Sequence, residues 1–239
     1  MKIVSSGPNK GNIIFIILIG IALFAALSFA VTQSGRNSGD MNREKISLEI
    51  YRIESYIHQI QQALQRMQVV SNTPEYLIDY SDSAAAAACV GTVAANTTGC
   101  TTNDCKMFHP QGGGVETGFI IDSAFHGGVV GYAGCADIWN VTIDDVGQDN
   151  QRDMILRFYD VSQKFCLAWN DRYNVNNPGG VPPTDYHDSS YARYQGDMTS
   201  QVTLTDATAR YDEVNIAGKK SFCIYEWDSY RINYVLKAR

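Results

Sequence analysis

The sequence predicts an α+β fold in which a long N-terminal hydrophobic helix precedes an amphipathic helix packed on an antiparallel β-sheet, with disulfides bracing the head. Three observations predict it. Residues 12–31 form an uncharged apolar run, and residues 46–67 carry an apolar stripe at helical spacing. The second half of the chain consists of short β-branched and aromatic runs separated by turn residues.

The apolar run sets the predicted topology. From Ile13 to Val31 no residue is charged, and at about 1.5 Å per residue this segment reaches roughly 28 Å, close to the thickness of a hydrocarbon core. Lys2 and Lys10 precede it and fix the cytoplasmic side. We therefore expect the chain to engage the membrane through residues 12–31, with its C-terminal part outside.

The residues around this segment leave three fates open. It is a permanent anchor, or a secretory signal cleaved after Ala30, since Ser28 and Ala30 are small residues at suitable positions. The third possibility is a leader that is cut just after Gly11. The chain is then divided into a leader (1–11), a hydrophobic transmembrane or filament-core helix (12–33), a flexible joint (34–40) and an extracytoplasmic globular head (41–239).

The strongest periodicity in the chain predicts a helix of about thirty residues that Asp40 can cap. Its apolar stripe consists of Ile46, Ile50, Ile53, Ile57, Ile60, Leu64 and Met67. Two interpretations compete: a coiled-coil seam with other subunits, or a helix laid against its own sheet. Leu48 and Tyr51 add apolar surface off the stripe, which favours the second.

Two shorter helices are predicted further along. Thr73 can cap one, with Pro74 in its first turn, and Asp160 can cap another that runs to Trp169. Strands are predicted at Gly118–Ile121, Val129–Tyr132, Ile138–Ile143, Met154–Tyr159, Val214–Ile216, Phe222–Trp227 and Tyr230–Leu236. The last three form an antiparallel meander, and the alternation in the final strand predicts one buried face and one wet face.

The chain has six cysteines, namely Cys89, Cys100, Cys105, Cys135, Cys166 and Cys223. An even count in an exported chain favours paired disulfides. A zinc site is the competing interpretation, because Cys100, Cys105 and His109 form a C-x4-C-x3-H run. That run lacks an obvious fourth ligand.

Charge and motifs exclude several classes of function. The formal charge of −6 disfavours nucleic acid as a partner of the head. The four histidines are scattered, no serine stands in a nucleophile elbow, and the triple glycine at 112–114 has no following Lys-Ser/Thr. We therefore expect no catalysis and no cofactor.

Two loops carry polar residues that could bind something. Acidic residues between 144 and 153 could hold calcium, although a solvated hairpin loop is the simpler interpretation and the spacing is not that of an EF-hand. Tyr186, Tyr191 and Tyr194 lie together in a polar loop. They are candidate interface residues, with ordinary surface tyrosines as the alternative.

The N-terminus resembles a known family. Gly11 closes a short leader that contains Lys2 and Lys10, and the stretch NIIFIILIGIALFAALSFAV follows at once. This arrangement resembles the bacterial prepilins of type IV pili and type II secretion pseudopili. The resemblance implies cleavage by a prepilin peptidase between Gly11 and Asn12, after which the helix packs in a filament core. Ile16 stands where the family carries a glutamate that helps register subunits, so it is a candidate contact residue.

A second segment extends the resemblance. The run ILRFYDVSQKFCLAWNDRY is similar to the strand and short cysteine-bearing helix of type IVb-like pilins, and by that resemblance Cys166 pairs with Cys223. The resemblance implies a pilin-like fold and a structural subunit, held in the inner membrane as a precursor, that assembles with copies of itself or with other pilin-like subunits into a cell-surface filament. The alternative is a single-pass anchored binding or adhesion protein.

Overall fold

The computed structural model describes residues 11–34, 38–81, 99–128, 134–148, 151–184, 194, 210–211 and 215–239. On the N-terminal helices it describes the side chains of residues 14–29 and those from 42 onward. The chain divides into two compact units, residues 1–45 and residues 46–239.

Three α-helices and five strands make up the regular structure of the described residues. The helices are α1 (Gly11–Ser34), α2 (Ser38–Val69) and α3 (Gln163–Arg172). The strands are β1 (Ala136–Ile143), β2 (Asp153–Val161), β3 (Arg210–Tyr211), β4 (Ser221–Glu226) and β5 (Ser229–Lys237). Short 3-10 helices lie at Glu75–Leu77, Asn103–Cys105, Ser123–Phe125 and Pro178–Gly180.

The predicted fold class needs a correction at the N-terminus. Within the described part of the chain, no helix is long and apolar enough to cross a membrane. The prediction of a long membrane-spanning hydrophobic helix over residues 12–31 is therefore wrong, while the helices, the antiparallel sheet and the disulfides are present.

Helix α2 packs on its own head. Its predicted apolar stripe is buried from Ile46 to Met67 and belongs to the same core as Leu156 and Phe158 of β2. The intramolecular interpretation is thus confirmed over the coiled-coil seam. Asp40, the predicted cap, lies inside α2, which begins at Ser38.

The two shorter helices begin later than predicted. Asp160 belongs to β2 and has a φ of 54°, while the Ser162 side chain caps α3 by accepting a hydrogen bond from the Phe165 backbone N–H at 3.4 Å. A hydroxyl two residues nearer the helix replaces the carboxylate because the strand continues to Val161. Pro74 stands at the N-cap of the 3-10 helix at Glu75–Leu77 without a side-chain cap, so Thr73 does not cap it.

The sheet has the strand order β3-β1-β2-β5-β4. Strands β1, β2, β5 and β4 pair antiparallel, and the short β3 pairs parallel to β1. The predicted final meander is wrong in its first strand, because residues 215–218 form a turn and residue 214 lies outside the described residues. In the predicted strand at Gly118–Ile121, only Ile120 bridges to Cys135, and Val129–Tyr132 lies outside the described residues.

The sheet is buried on both faces, which corrects the prediction of a wet face on β5. One face joins α2 and α3 in the larger core, and the other holds a second cluster around Trp139, Tyr159 and Phe222. Arg231 and Asn233 of β5 lie on this second face and are buried. They are tolerated there because buried polar groups are paired.

Two buried arginines of that face meet at one buried carboxylate, that of Glu226. Glu226 Oε2 lies 3.2 Å from a guanidinium nitrogen of Arg231 and 3.4 Å from one of Arg157. The Arg157 guanidinium also lies over the Trp139 ring at 4.3 Å and donates to Asn233 Oδ1 at 3.0 Å. This cluster holds β2, β4 and β5 in register through charge-assisted hydrogen bonds.

Disulfides brace the head as predicted. Cys166 of α3 is bonded to Cys223 of β4, which confirms the pairing implied by the resemblance. Cys100 is bonded to Cys105, so these two sulfurs are not zinc ligands. Cys135 is also disulfide-bonded, and Cys89 lies outside the described residues.

Candidate assembly surface

The described side chains of α1 are exposed on every side of the helix. All residues from 14 to 29 are exposed, and the exposed fraction of the large apolar ones ranges from 45% at Ile19 to 74% at Phe24. Ile16, the candidate contact residue, is among them. No residue in this stretch carries a charge, so α1 presents an apolar cylinder without a polar face.

Such a surface is unfavourable in water. Burying a large aliphatic or aromatic side chain is worth about 1.5–3 kcal/mol, and a helix that is hydrophobic all round is found buried among other apolar elements. The processing residues Gly11 and Asn12 are the first two residues of α1. A cut between them would leave the rest of the helix whole.

A second apolar surface lies on the head, at the side of α2 away from its buried stripe. Leu48 is 62% exposed and Tyr51 is 55% exposed, and the two residues are one helical turn apart. The guanidinium of Arg172, from the end of α3, lies over the Tyr51 ring at 4.7 Å. We call Leu48, Tyr51 and Arg172 the α2–α3 patch.

Glu54 holds the patch in place. Its carboxylate accepts two hydrogen bonds from Arg172, at 2.5 and 2.8 Å, and a third from the Tyr173 hydroxyl at 2.8 Å. The paired geometry fixes a side chain that would otherwise be mobile. Tyr173 is itself fixed against the buried Trp169, at a ring separation of 5.0 Å.

The electrostatics of this group follow from its contacts. Partial burial raises the pKa of Glu54, but the hydrogen bonds from Arg172 and Tyr173 and the charge of Arg172 outweigh it, so the pKa lies below its ordinary value. Burial and the hydrogen bond to Glu54 raise the pKa of Tyr173. The hydrogen bond to Glu54 likewise raises the pKa of Arg172. At neutral pH the carboxylate and guanidinium are therefore charged and compensate each other.

Comparison with family models, curated proteins and solved structures gave no match. Any functional assignment therefore depends on the sequence and structure of this chain alone.

The structure describes one tyrosine of the tyrosine-rich loop, and this residue is not at the surface. Tyr194 is buried, its hydroxyl donates to the Glu75 backbone oxygen at 2.7 Å, and its ring packs edge-on against Tyr80. It is a core residue and not the predicted interface residue. Tyr186 and Tyr191 lie outside the described residues.

The acidic loop gives no metal site in the part that the structure describes, where no group of three or more His, Cys, Asp or Glu side chains could hold an ion. Asp153 is buried and accepts hydrogen bonds from the backbone N–H groups of Ile143, at 3.4 Å, and Arg239, at 3.0 Å. Its oxygens are therefore used inside the fold. Asp149 and Asn150 are not described.

The sequence pointed to two of the three residues of the α2–α3 patch. Leu48 and Tyr51 stand out in the sequence as apolar residues off the buried stripe. Arg172 and Glu54 are 118 positions apart, and no local spacing connects them. Only the packing of α3 beside α2 brings the guanidinium over the tyrosine ring.

Proposed function

We propose that this protein is a structural subunit of a type IV pilus-like or pseudopilus-like extracellular filament, assembled through its N-terminal helix. The observation that carries the proposal is the uncharged apolar surface of α1, whose side chains are exposed from residue 14 to residue 29. A second copy offers the same kind of surface. Helices of this kind bury each other's side chains when subunits stack with their N-terminal helices together.

Three further features support the proposal. The chain begins with the leader-and-helix arrangement of prepilins, and α1 begins at the residue after which a prepilin peptidase would cut. The head is braced by disulfides, which persist in oxidising compartments outside the cytoplasm. The Cys166–Cys223 bond lies where the resemblance to type IVb-like pilins implies it.

Two measurements test the proposal on the full chain, expressed with a prepilin peptidase. Mass spectrometry of the mature N-terminus should find Asn12, and electron microscopy of sheared cell-surface material should find helical particles. Leu23→Asp together with Phe24→Asp should abolish the particles, because a desolvated charge in the packed helices is strongly unfavourable. Tyr76→Asp, at an exposed position outside α1, is the matched control.

A mature N-terminus at Val31, or surface material without helical particles from a processed wild-type chain, would exclude the filament. In the alternative, an anchored binding or adhesion protein, the tyrosine-rich loop would contact the ligand or partner. The burial of Tyr194 removes one of that loop's three candidate contacts.

A further inference from the structure

We propose that the α2–α3 patch, consisting of Leu48, Tyr51 and Arg172, is the site on the head that receives helix α1 of a second copy of this chain. The inference rests on the proposed function. It adds the surface that α1 contacts, which the resemblance and the apolar run do not specify.

The first ground is that the patch is exposed to solvent while its arginine is held in a fixed position. Leu48 and Tyr51 expose more than half of their surface, although neighbouring residues of α2 are buried in the head. The Tyr51 ring lies under the Arg172 guanidinium, and Arg172 is held by two hydrogen bonds to Glu54. A partner would therefore meet an arginine and a tyrosine that already hold each other in place, so little conformational entropy of these two side chains is lost on contact.

The second ground is composition. Tyrosine and arginine are enriched among the residues that dominate binding energy, above all where they pack closely and water is excluded. Here an arginine and a tyrosine stack beside an exposed leucine. Arg172 and Tyr51 provide flat surfaces, and Leu48 provides an aliphatic contact.

The third ground is charge complementarity, and it selects the occupant. The chain carries a net charge of −6, so two copies repel each other weakly, and a contact through neutral surfaces adds nothing to that repulsion. Within the patch, the Arg172 charge is compensated by Glu54. Residues 14–29 of α1 carry no charge and are exposed all round. A neutral apolar helix fits a neutral patch with apolar and aromatic side chains, and a second copy of this chain supplies that helix.

Photo-crosslinking of the full chain tests the contact directly. Benzoylphenylalanine replaces Leu48 in one sample and Val69 in a matched sample, since both are exposed apolar residues of α2. Each sample is a mixture of isotopically labelled and unlabelled copies in mild detergent. We expect position 48 to give mixed-label crosslinks to residues 14–29, at least about tenfold more abundant than those from position 69.

Three results would overturn the inference. They are crosslinks from position 48 to the same patch of another copy, crosslinks only within one copy, and equal yields from positions 48 and 69. Because this measurement needs no filament, it separates the two proposals. Mixed-label crosslinks without helical particles would support the contact and refute the filament. Helical particles without such crosslinks would support the filament and refute the contact.

A pair of double variants gives the functional test. Leu48→Ser with Tyr51→Ser should raise the chain concentration needed for assembly at least about tenfold, and Val69→Ser with Val70→Ser should leave it unchanged. Val69 and Val70 are a matched pair because they too are exposed apolar residues, at the end of α2 and just after it. Equal urea midpoints for the two variants establish that folding is intact. An unchanged assembly threshold in the first variant would refute the proposed contact.

Discussion

Asn170 of α3 shows how one side chain can close the edge of a sheet. Its Nδ2 donates to the Cys223 backbone oxygen at 2.9 Å, and its Oδ1 accepts from the Cys223 backbone N–H at 2.7 Å. The amide thus takes the place of a neighbouring strand at the edge strand β4. An open edge invites pairing with another chain, so this contact protects the head as well as stabilising it.

We predict that Asn170→Ala lowers the free energy of unfolding by about 2–5 kcal/mol, because two buried backbone groups lose their partners. Urea denaturation measures the change. Asn176→Ala is the control, since Asn176 makes a single exposed side-chain hydrogen bond, to Asn215 at 2.8 Å. Equal losses for the two variants would show that the edge contact does not matter to stability.

The hydrogen bonds of Glu54 make stability depend on pH. Its pKa in the folded protein lies below the ordinary value, because the bonds from Arg172 and Tyr173 outweigh the opposing effect of burial. A carboxylate with a lowered folded pKa adds stability above its unfolded pKa of about 4.3. That stability is lost as the pH falls through the lower, folded value.

We predict that Glu54→Gln weakens the dependence of the urea midpoint on pH between about 5 and 3, since the substituted side chain does not titrate. Arg172→Ala should have a similar effect, because it removes the main hydrogen-bond donor. The double variant should change little beyond either single one. Additive effects of the two substitutions would contradict the assigned pairing.

At the level of elements, α3 is joined to the sheet by a covalent bond and by side-chain hydrogen bonds. It is tied to β4 twice, by the Cys166–Cys223 disulfide and by Asn170. The disulfide closes a long loop, with a sequence separation of 57, whereas the Cys100–Cys105 bond spans a separation of 5. In the chain-entropy account, closing a longer loop restricts the unfolded chain more.

The two disulfides should therefore contribute different amounts to the stability of the head. Replacing Cys166 and Cys223 by alanine should destabilise the head by roughly 4 kcal/mol, and replacing Cys100 and Cys105 by about 2 kcal/mol. Guanidinium denaturation of the two double variants gives the comparison. A larger loss from the Cys100–Cys105 variant would show that local structure, and not loop closure, decides the order.

For the whole molecule, the two described cores lie entirely within residues 46–239. The larger one begins with Ile46 of α2, and no described side chain of α1 belongs to either. The division of the chain into two compact units falls at the same place. We therefore expect the head to fold without any contribution from the described side chains of α1.

A chain that begins at Ser38 should consequently keep the unfolding free energy of the full chain within about 0.5 kcal/mol, because no described core residue is removed. It should also lose the self-association that we assign to α1. Thermal or urea unfolding and sedimentation velocity measure the two properties. Loss of cooperative unfolding in the shortened chain would show that the N-terminal helix contributes to the head.

The sequence by itself determined the features that depend on local spacing. The stripe from Ile46 to Met67 predicted α2 and its buried face, and the β-branched runs located β1, β2, β4 and β5. Local residues suffice there because helical and strand periods place apolar side chains on one face. The Cys166–Cys223 pair came from a resemblance, not from spacing.

Only the tertiary structure decided the features that join distant residues. It placed β5 beside β2, buried Arg231 against Glu226, put Tyr194 in the core and brought Arg172 over Tyr51. The alternation in β5 predicted a wet face because sequence periodicity reports polarity, not what covers a face. Polar residues become core residues when a charge or carbonyl from another element pairs with them, and that partner is chosen by packing.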